Sequence, residues 1–397
     1  MLLAAGIIAS CFVFCHAATQ SGCTLTIQRN DAEKYVPVLL NNRSHVYNLT
    51  VPEQGEIRLR RGQGITFLCP EKNYLVPTHS NSTYATCLHG TKLSISRTEY
   101  DFSEILCHKP IRGEIQKTRE SCGNGRGTIT NIGYTVTPRY FKTLIKVCYD
   151  EARGANLYSQ HIIHGEEVAY TSKFRERPGF STAGLPKGVS ANVAYKRAYQ
   201  KSTFSSLLGS SGLAERYINK KSFLSRGHLA PDADFLFASS QLTSYFYINT
   251  CPQWQSINGG NWVKVESSVR EAASKYGRRF TIITGTHGVL ELPDSSGRPV
   301  EVYLVSRRKL PVPKFVWKII YDDFSGKAIA IVSLNNPFVD SYEDAVLCND
   351  ICDRFGWGAK SFGDFSRGLI YCCDVNEFRE VVDSVPDIVV NGILRSP

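Results

Sequence analysis

The sequence predicts an α+β fold with an antiparallel or mixed sheet, preceded by a small β-rich module that disulfides hold together. The main part mixes apolar stretches typical of strands with one stretch of helical periodicity at 261–276. Before about residue 110 the chain contains only short strand-like stretches, broken by Gly, Pro and Asn. The strand-like stretches of the main part are 140–150, 278–292, 314–323 and 327–336.

We divide the 397-residue chain into a signal peptide at 1–17, a β-rich module at 18–115 and a main domain at 116–397. The polar, glycine-bearing stretch at 108–128 is predicted to be a linker or a loop. The first segment is apolar and ends with small residues placed for a cut after Ala17. A membrane anchor is the competing interpretation, but the run is shorter than the ~20 residues that a span requires. We therefore expect a secreted protein without membrane association.

The chain has a formal net charge of +10, and its first twenty residues contain no Lys, Arg, Asp or Glu. The mature protein therefore keeps the positive excess, which suggests a polyanionic partner such as nucleic acid, glycosaminoglycan or an acidic membrane surface. The alternative is that many secreted proteins are simply basic. An apolar content of 42% and a charged content of 21% are ordinary for a globular protein and argue against a disordered one.

Thirteen cysteines are present, and removal of the two in the signal peptide would leave eleven. In an oxidising compartment most of these should pair, and the odd number leaves at least one over. A late cluster of four could be read as a zinc site, but adjacent cysteines rarely supply two tetrahedral ligands, so we expect disulfides there. The cluster consists of Cys348, Cys352, Cys372 and Cys373.

Three glycosylation sequons begin at Asn42, Asn48 and Asn81. All precede residue 90, which indicates that the N-terminal module is exposed and does not form a nucleic-acid groove.

The stretch FLSRGHLAPDADF, residues 223–235, places Arg226 and His228 on either side of a glycine. A neutral imidazole can accept a proton near pH 7, and a guanidinium is a permanent cation whose geometry matches phosphate. A three-residue string occurs often enough by chance that its context must decide its meaning.

That context is a second pattern, in which Asn258, Trp262, Glu266 and Arg270 follow one another at steps of four. On a helix these side chains share one face. A face that mixes an amide, an aromatic ring, a carboxylate and a guanidinium is either a solvated face with one buried Trp or a functional face.

Together the two patterns favour a catalytic site. The Asn258 amide oxygen suits a hard cation that keeps most of its waters, as Mg²⁺ does, and Glu266 can hold those waters from further out. A base, a cation and a water-rich metal site are what hydrolysis of a phosphodiester requires.

These residues resemble the signature of the DNA/RNA non-specific endonucleases, the ββα-metal or His-Me finger nucleases. The matching elements are Arg226-Gly227-His228, Asn249, Gln253, Asn258, Trp262, Glu266 and Arg270. The resemblance covers about residues 120–397. The leading module is similar only to that of secreted arthropod nucleases of the duplex-cutting type.

The resemblance implies that Asn258 is the direct protein ligand of one Mg²⁺, with Mn²⁺ able to substitute, and that Glu266 orients its waters. It implies that His228 deprotonates the attacking water and that Arg226 stabilises the developing charge. The products would carry 5′-phosphates, and the partner would be nucleic acid, with double-stranded DNA favoured. We infer no protein partner.

Four further residues are expected to bind substrate: Arg177, Asn249, Gln253 and Arg270. Arg177 is our candidate for a second phosphate clamp, with Arg175 as the next choice. Asn249 and Gln253 would either order the site or touch substrate, and Arg270 would either hold the helix or reach a phosphate.

One position departs from the family pattern, because Ser225 stands where the broad family has Asp. The resemblance gives that Asp no part as proton acceptor or direct ligand, so its loss affects tuning more than chemistry. Cys251 lies inside the predicted site segment, where a disulfide would tether the metal-binding loop. We therefore expect Cys251 to be the unpaired thiol.

Other polar groups have simpler interpretations. His161 and His164 fit strand or turn positions better than metal ligands, and Asp232 and Asp234 fit a loop-structuring role. A basic cluster before the motif either lines a groove that follows a nucleic-acid backbone or is a solvated face. This cluster consists of Lys196, Arg197, Lys201, Lys220 and Lys221.

Two rival functions remain open at this point. One is a nucleic-acid-binding scavenger of the same fold with weak or no catalysis. The other is an extracellular adhesion or polyanion-binding protein whose N-terminal module carries the function.

Overall fold

The computed structural model describes residues 22–26, 31–43, 46–172, 177–341 and 346–397. The predicted signal peptide at 1–17 lies outside the described residues, and so does Arg175. Among the described residues, no helix combines the length and the apolar character needed to cross a membrane.

The strands of the described residues are β1 Cys23–Thr26, β2 Val38–Arg43, β3 Val46–Leu49, β4 Glu56–Leu59, β5 Gly64–Leu68, β6 Ser82–His89, β7 Lys92–Ile95, β8 Thr98–Asp101, β9 Glu114–Cys122, β10 Gly127–Thr137, β11 Tyr140–Asp150, β12 Ala155–His164, β13 Leu224–His228, β14 Thr250–Trp254, β15 Arg279–His287, β16 Glu291–Pro293, β17 Pro299–Glu301, β18 Tyr303–Val305, β19 Lys309–Pro311, β20 Phe315–Asp322, β21 Ala328–Leu334 and β22 Ile370–Cys373. The helices are α1 Ala191–Ala194, α2 Arg197–Leu208, α3 Ser211–Tyr217, α4 Ala238–Leu242, α5 Gln255–Ile257, α6 Val263–Tyr276 and α7 Val375–Val381.

The main part of the chain is organised by an eight-stranded sheet in the order β22-β21-β20-β15-β12-β11-β10-β9. Every neighbouring pair in it is antiparallel. The stretches predicted as strands supply β11, β15, β20 and β21, so the predicted α+β class with an antiparallel sheet is confirmed.

The prediction of a linker or a loop at 108–128 is wrong over Glu114–Cys122, which form β9. This strand lies at the edge of the sheet and pairs with β10 only, and none of its side chains is fully buried. An edge strand of this kind forms through backbone hydrogen bonds and needs no apolar alternation. Its polar sequence therefore resembles that of a loop.

The central strands are buried on both faces, since successive side chains point to opposite sides of a sheet. One face packs under α6, and its apolar residues include Ile282, Val316, Ile320, Ile329 and Ile331. The other face packs under α7, and its apolar residues include Ile283, Trp317, Ile319, Ala330 and Val332. The predicted helix at 261–276 is confirmed over Val263–Tyr276 and ends at Gly277, which has a positive φ of 57°.

The N-terminal module is a six-stranded antiparallel sheet, β3-β2-β5-β6-β7-β8, with the β1–β4 pair beside it. Its core is continuous with side chains of the main part, among them Tyr134, Leu236 and Phe237. The last strand of the six-stranded sheet ends at Asp101, and the first strand of the eight-stranded sheet along the chain begins at Glu114. The two parts pack against each other through the shared core.

Five disulfides are present among the described residues, and they include both pairs of the late cluster. The disulfides are Cys23–Cys87, Cys69–Cys107, Cys122–Cys148, Cys348–Cys373 and Cys352–Cys372. The expectation of disulfides in place of zinc at this cluster is confirmed. Cys251 is the free, buried cysteine, as expected.

Of the three sequons, Asn48 and Asn81 have exposed side chains. The side chain of Asn42 is outside the described part of the structure.

We expect Gly285→Ala to lower the free energy of unfolding by about 1–3 kcal/mol, because the new Cβ would overpack the sheet. That atom would lie 2.2 Å from Cζ2 of the buried Trp317 and 2.4 Å from the carbonyl oxygen of Leu157. Gly212→Ala in α3 is the matched control, since its Cβ would meet only Ser210 Oγ at 3.7 Å. Urea unfolding with the disulfides intact measures both. Equal stability of the two variants would contradict the packing described here.

Candidate active site

Two antiparallel strands and a helix carry the predicted motif. Strand β13 pairs with β14 so that His228 lies opposite Thr250 and Gly227 opposite Cys251. The glycine between Arg226 and His228 is required by this pairing. A Cβ on Gly227 would lie 2.4 Å from Oε1 and 3.0 Å from Cβ of Gln253.

The chain turns from β14 into α6 through a kink. Residues Asn258–Trp262 form a π-helical turn in which Gly260 has φ −100° and ψ −115°, outside the helical range. The predicted unbroken helical face from Asn258 is therefore interrupted, and α6 begins only at Val263. Gly260 allows the chain at Arg367 to approach, because a Cβ there would lie 2.7 Å from the Arg367 carbonyl oxygen. The kink leaves Asn258 half-buried at the N-terminal side of α6.

One cavity of about 830 Å³ gathers most of the predicted site. The predicted residues on its wall are Arg177, Arg226, His228, Asn258 and Glu266. They come from a loop, from β13, from the π turn and from α6, so the fold brings together groups separated by up to 89 residues of sequence.

His228 lies between aromatic rings and is neutral in this environment. The centroid of its ring is 5.0 Å from that of Phe180 and 4.9 Å from that of Tyr245. Its Nε2 atom is buried and has no hydrogen-bond partner among the described residues. Burial lowers the pKa of His228 to about 4, against an opposing effect of the Asp232 carboxylate and with a smaller contribution from Arg177. The imidazole is therefore free to accept a proton at neutral pH.

Among the described residues, Arg226 contacts aromatic rings and pairs with no carboxylate. Its guanidinium carbon is 5.5 Å from the ring centroid of Phe180, 5.2 Å from that of Tyr195 and 5.6 Å from that of Tyr247. Its Nε donates a hydrogen bond to the Tyr247 hydroxyl at 3.3 Å. The rings orient the guanidinium through cation–π attraction and leave its charge available to an anion.

Ser225, which replaces the family's Asp, lies on the same cavity wall. Its hydroxyl donates to the Gln253 carbonyl oxygen at 2.9 Å and so ties β13 to β14. With Ser at this position, the residue before Arg226 carries no negative charge.

Asn258 and Glu266 offer two oxygen donors to the cavity. Neither side chain forms a hydrogen bond or an ion pair with another residue in the described ranges. Burial raises the pKa of Glu266 to about 7, while the Lys318 cation opposes this rise. An amide oxygen and a partly buried carboxylate without partners fit a hard divalent cation that retains part of its water shell.

Behind Glu266 lies a buried lysine that the sequence analysis missed. Lys318 is 1% exposed and projects from β20 on the face under α6. Its Nζ donates to Thr284 Oγ1 at 2.6 Å and lies 5.6 Å from the ring centroid of Trp262. Burial lowers the pKa of Lys318, and the Asp234 and Glu266 carboxylates oppose that effect. A lysine in the middle of the apolar run FVWKIIY, residues 315–321, is the signal that could have revealed it.

Asp234 joins this buried group of charges. Its carboxylate forms an ion pair with Arg270 at 2.8 Å and lies 2.8 Å from Nε2 of His161. Burial raises the pKa of Asp234, but His161, Arg270 and Lys318 together hold it below its usual value. His161 and Asp234 therefore have the structural roles that the sequence favoured.

Of the predicted substrate-binding residues, Asn249 and Gln253 lie behind the cavity wall, and Arg270 lines a neighbouring cavity with Arg177 and Asp232. Asn249 is fully buried, accepts from the Ala230 amide at 3.0 Å and donates to the Ala230 and Ser244 carbonyl oxygens. Gln253 is also fully buried, and Arg270 is engaged by Asp234. These placements favour the site-ordering alternative over contact with substrate. Arg177 is exposed on the wall and remains available to substrate.

Asp232 and Tyr245 are wall residues that sequence patterns did not assign to the site. The Tyr245 hydroxyl donates to the Asp232 carboxylate at 2.6 Å. The Asp232 carboxylate acts against the burial effect on the pKa of His228 and so favours the protonated imidazole.

Two antiparallel strands are followed by a helix, and they carry a histidine and an amide without a side-chain partner among the described residues; this arrangement fits the ββα-metal class of nucleases. The family model of the DNA/RNA non-specific endonucleases matches residues 125–378. The chain belongs to this family of metal-dependent hydrolytic nucleases, which confirms the resemblance inferred from the motifs.

Relatives extend over both parts of the chain. A salivary endonuclease of Lutzomyia longipalpis is 33% identical over 363 residues, covering 90% of this chain and 82% of that protein. The salivary protein Tsal1 of Glossina morsitans morsitans is 24% identical over 396 residues, covering 96% and 95%. The solved structure of the EndoG/EndoGI complex aligns at 13% identity with a TM-score of 0.39, covering 64% of this chain and 89% of that chain.

We expect Glu266→Gln to remove a pH dependence from the stability of the metal-free protein. A group whose pKa is raised on folding, here to about 7, contributes stability below its unfolded value of 4.5 and loses it as the pH rises through 7. In EDTA, the wild type should lose on the order of 2 kcal/mol relative to the Gln variant between pH 5 and pH 8. Urea unfolding at the two pH values measures this difference.

The matched control is Glu271→Gln, an exposed carboxylate on the same helix that pairs with Lys275. A parallel pH response of wild type and Glu266→Gln would show that the Glu266 carboxyl is not desolvated in the folded protein.

Proposed function

We propose that this protein is a secreted, Mg²⁺-dependent endonuclease that hydrolyses phosphodiester bonds of DNA, duplex DNA above all, with little sequence preference. The observation that carries the proposal is the content of one cavity: a neutral imidazole at His228, an uncompensated guanidinium at Arg226 and an unpartnered amide at Asn258. The imidazole can act as a base, the guanidinium can bind an anion and the amide oxygen can bind a metal ion. Phosphodiester hydrolysis needs these three groups.

The residues act in a defined order. Arg226 and Arg177 hold the phosphate and stabilise the negative charge that develops on it. His228 takes the proton from the attacking water, and Asp232 stabilises the resulting imidazolium. Asn258, and Glu266 through water, would hold a Mg²⁺ ion, which would supply Lewis-acid chemistry at the phosphate. Attack in line with the 3′ oxygen breaks its bond to phosphorus; this oxygen takes a proton from water, so the products carry a 5′-phosphate and a 3′-hydroxyl.

Little sequence preference is expected because the cavity's charged groups recognise phosphate, which every nucleotide carries. The net charge of +10 adds long-range attraction for any nucleic acid. Duplex DNA is proposed as the preferred substrate on the resemblance of the motifs and of the leading module to duplex-cutting arthropod nucleases.

Secretion is supported by three observations. The chain starts with an apolar run of signal-peptide length. Five disulfides join its described cysteines, as is usual in oxidising compartments. Two relatives that cover most of the chain are salivary proteins by name.

The first test is cleavage of supercoiled plasmid with Mg²⁺, with EDTA, and by the variants His228→Ala and Asn258→Ala. Loss of the general base should reduce the rate by at least ~10²-fold, and EDTA should abolish cutting. His89→Ala, which removes an exposed histidine on the N-terminal module, should cut as the wild type does. Labelling of the product ends by kinase only after phosphatase treatment would establish 5′-phosphates.

A wild type that retards the plasmid on a gel but never nicks it would overturn the proposal in favour of a binding protein. Undiminished cutting in EDTA would overturn the role of the metal.

A second test concerns Arg177, which we expect to contact a phosphate at the cavity wall. In EDTA, Arg177→Ala should weaken duplex binding for every sequence and reduce the slope of log K against log salt by about 0.9. The control is Arg61→Ala, an exposed arginine of the N-terminal module. Fluorescence anisotropy over a salt series measures both slopes. An unchanged slope for Arg177→Ala would show that this residue does not contact a phosphate.

A further inference from the structure

The cavity contains an aromatic and cationic pair that the hydrolytic mechanism does not use. Phe223 and Arg197 both lie on its wall. The guanidinium carbon of Arg197 lies 5.6 Å from the ring centroid of Phe223. Phe223 is half-buried and Arg197 is exposed, so the pair is accessible from the cavity.

Phe223 is separated from the reacting groups by the length of one strand. It immediately precedes β13, and its carbonyl oxygen accepts a hydrogen bond from the Gln255 amide at 3.0 Å, just after β14. His228 is the last residue of β13, so Phe223 lies roughly 16 Å from it along the strand at about 3.3 Å per residue. A nucleic-acid strand whose phosphate is held near His228 would therefore pass Phe223 within the same cavity.

The charge of Arg197 is not compensated. It forms no ion pair with an acidic side chain in the described ranges, and α2, which it begins, has no acidic residue in its first turn. The cation and the N-terminal end of this twelve-residue helix both favour an anion at this place. A planar ring, a planar cation and a phosphate-attracting helix end together match a nucleotide.

A second Phe–Arg pair on the protein shows what the ordinary arrangement is. Arg278 lies 4.5 Å from the ring centroid of Phe324, which is 79% exposed. There the guanidinium is neutralised by Asp322 at 3.1 Å, and Phe324 does not line the cavity. The pair at Phe223 differs in having a free charge and in lying within the active-site cavity.

We propose that Phe223 and Arg197 form a stacking subsite for one unpaired nucleobase of the strand being cut. This inference rests on the proposed nuclease function and adds a base-dependent contact to a site that otherwise recognises phosphate. Every base has a flat aromatic face, so such a subsite takes any base and adds no sequence preference. A base in a duplex must leave its stack to reach it, whereas a base in a single strand is already free.

The test compares two substrates with the same phosphodiester backbone: a short oligothymidylate, and an oligomer of the same length made of abasic tetrahydrofuran residues. For Phe223→Ala we expect kcat/KM on oligothymidylate to fall about 10-fold, while the value on the abasic oligomer changes less than about twofold. Arg197→Lys keeps the positive charge but lacks the planar guanidinium, so its kcat/KM on oligothymidylate should also fall more than its kcat/KM on the abasic oligomer. Phe324→Ala is the matched control and should leave both substrates unaffected.

An equal loss on the two substrates would show that the ring only supports the fold, and no loss on either would show that no base stacks there. Both results would overturn the subsite. Binding of the two oligomers in EDTA, measured by fluorescence anisotropy, tests the subsite independently of cleavage. If the wild type cuts neither oligomer nor plasmid, the proposed function fails, and the base-dependent loss of binding in Phe223→Ala still decides the subsite.

Discussion

The active site depends on charges that are buried between α6 and the eight-stranded sheet. Lys318 projects from the middle of β20 into an apolar layer, where an uncompensated cation would be strongly destabilising. The carboxylates of Asp234, in the loop after β13, and of Glu266 on α6 attract this cation and oppose the effect of its burial. This electrostatic attraction links sheet, loop and helix behind the cavity.

The cavity in front of these charges is prepared by burial and by aromatic rings. Phe180 contacts His228 and Arg226, so a single ring contributes to the placement of both the base and the cation. Partial burial keeps the imidazole neutral, and the absence of a carboxylate beside Arg226 among the described residues keeps its charge available. Ser225 helps to keep the charge of Arg226 available, because its hydroxyl, which is hydrogen-bonded to the opposite strand, stands where the broad family has a carboxylate.

Local patterns predicted the elements that apolar periodicity encodes, namely the central strands and the helix that ends at Tyr276. They failed at β9 and at the start of α6. The edge strand β9 forms through backbone pairing that leaves no apolar alternation in its sequence. The helix is interrupted at Gly260, where the distant residue Arg367 lies close to the backbone, and the helical spacing of the side chains does not reveal this contact.

The sequence by itself determined the family and the chemical types of the groups in the candidate site, since these depend on residues close together in the chain: Arg226 with His228, and Asn258 with Glu266. Only the tertiary structure decided which groups are free to act. It buried Asn249, engaged Arg270 with Asp234, and brought Arg177 and Asp232 to the same wall as His228. The physical reason is that burial and ion pairing depend on neighbours in space, and these neighbours come from segments far apart in the chain.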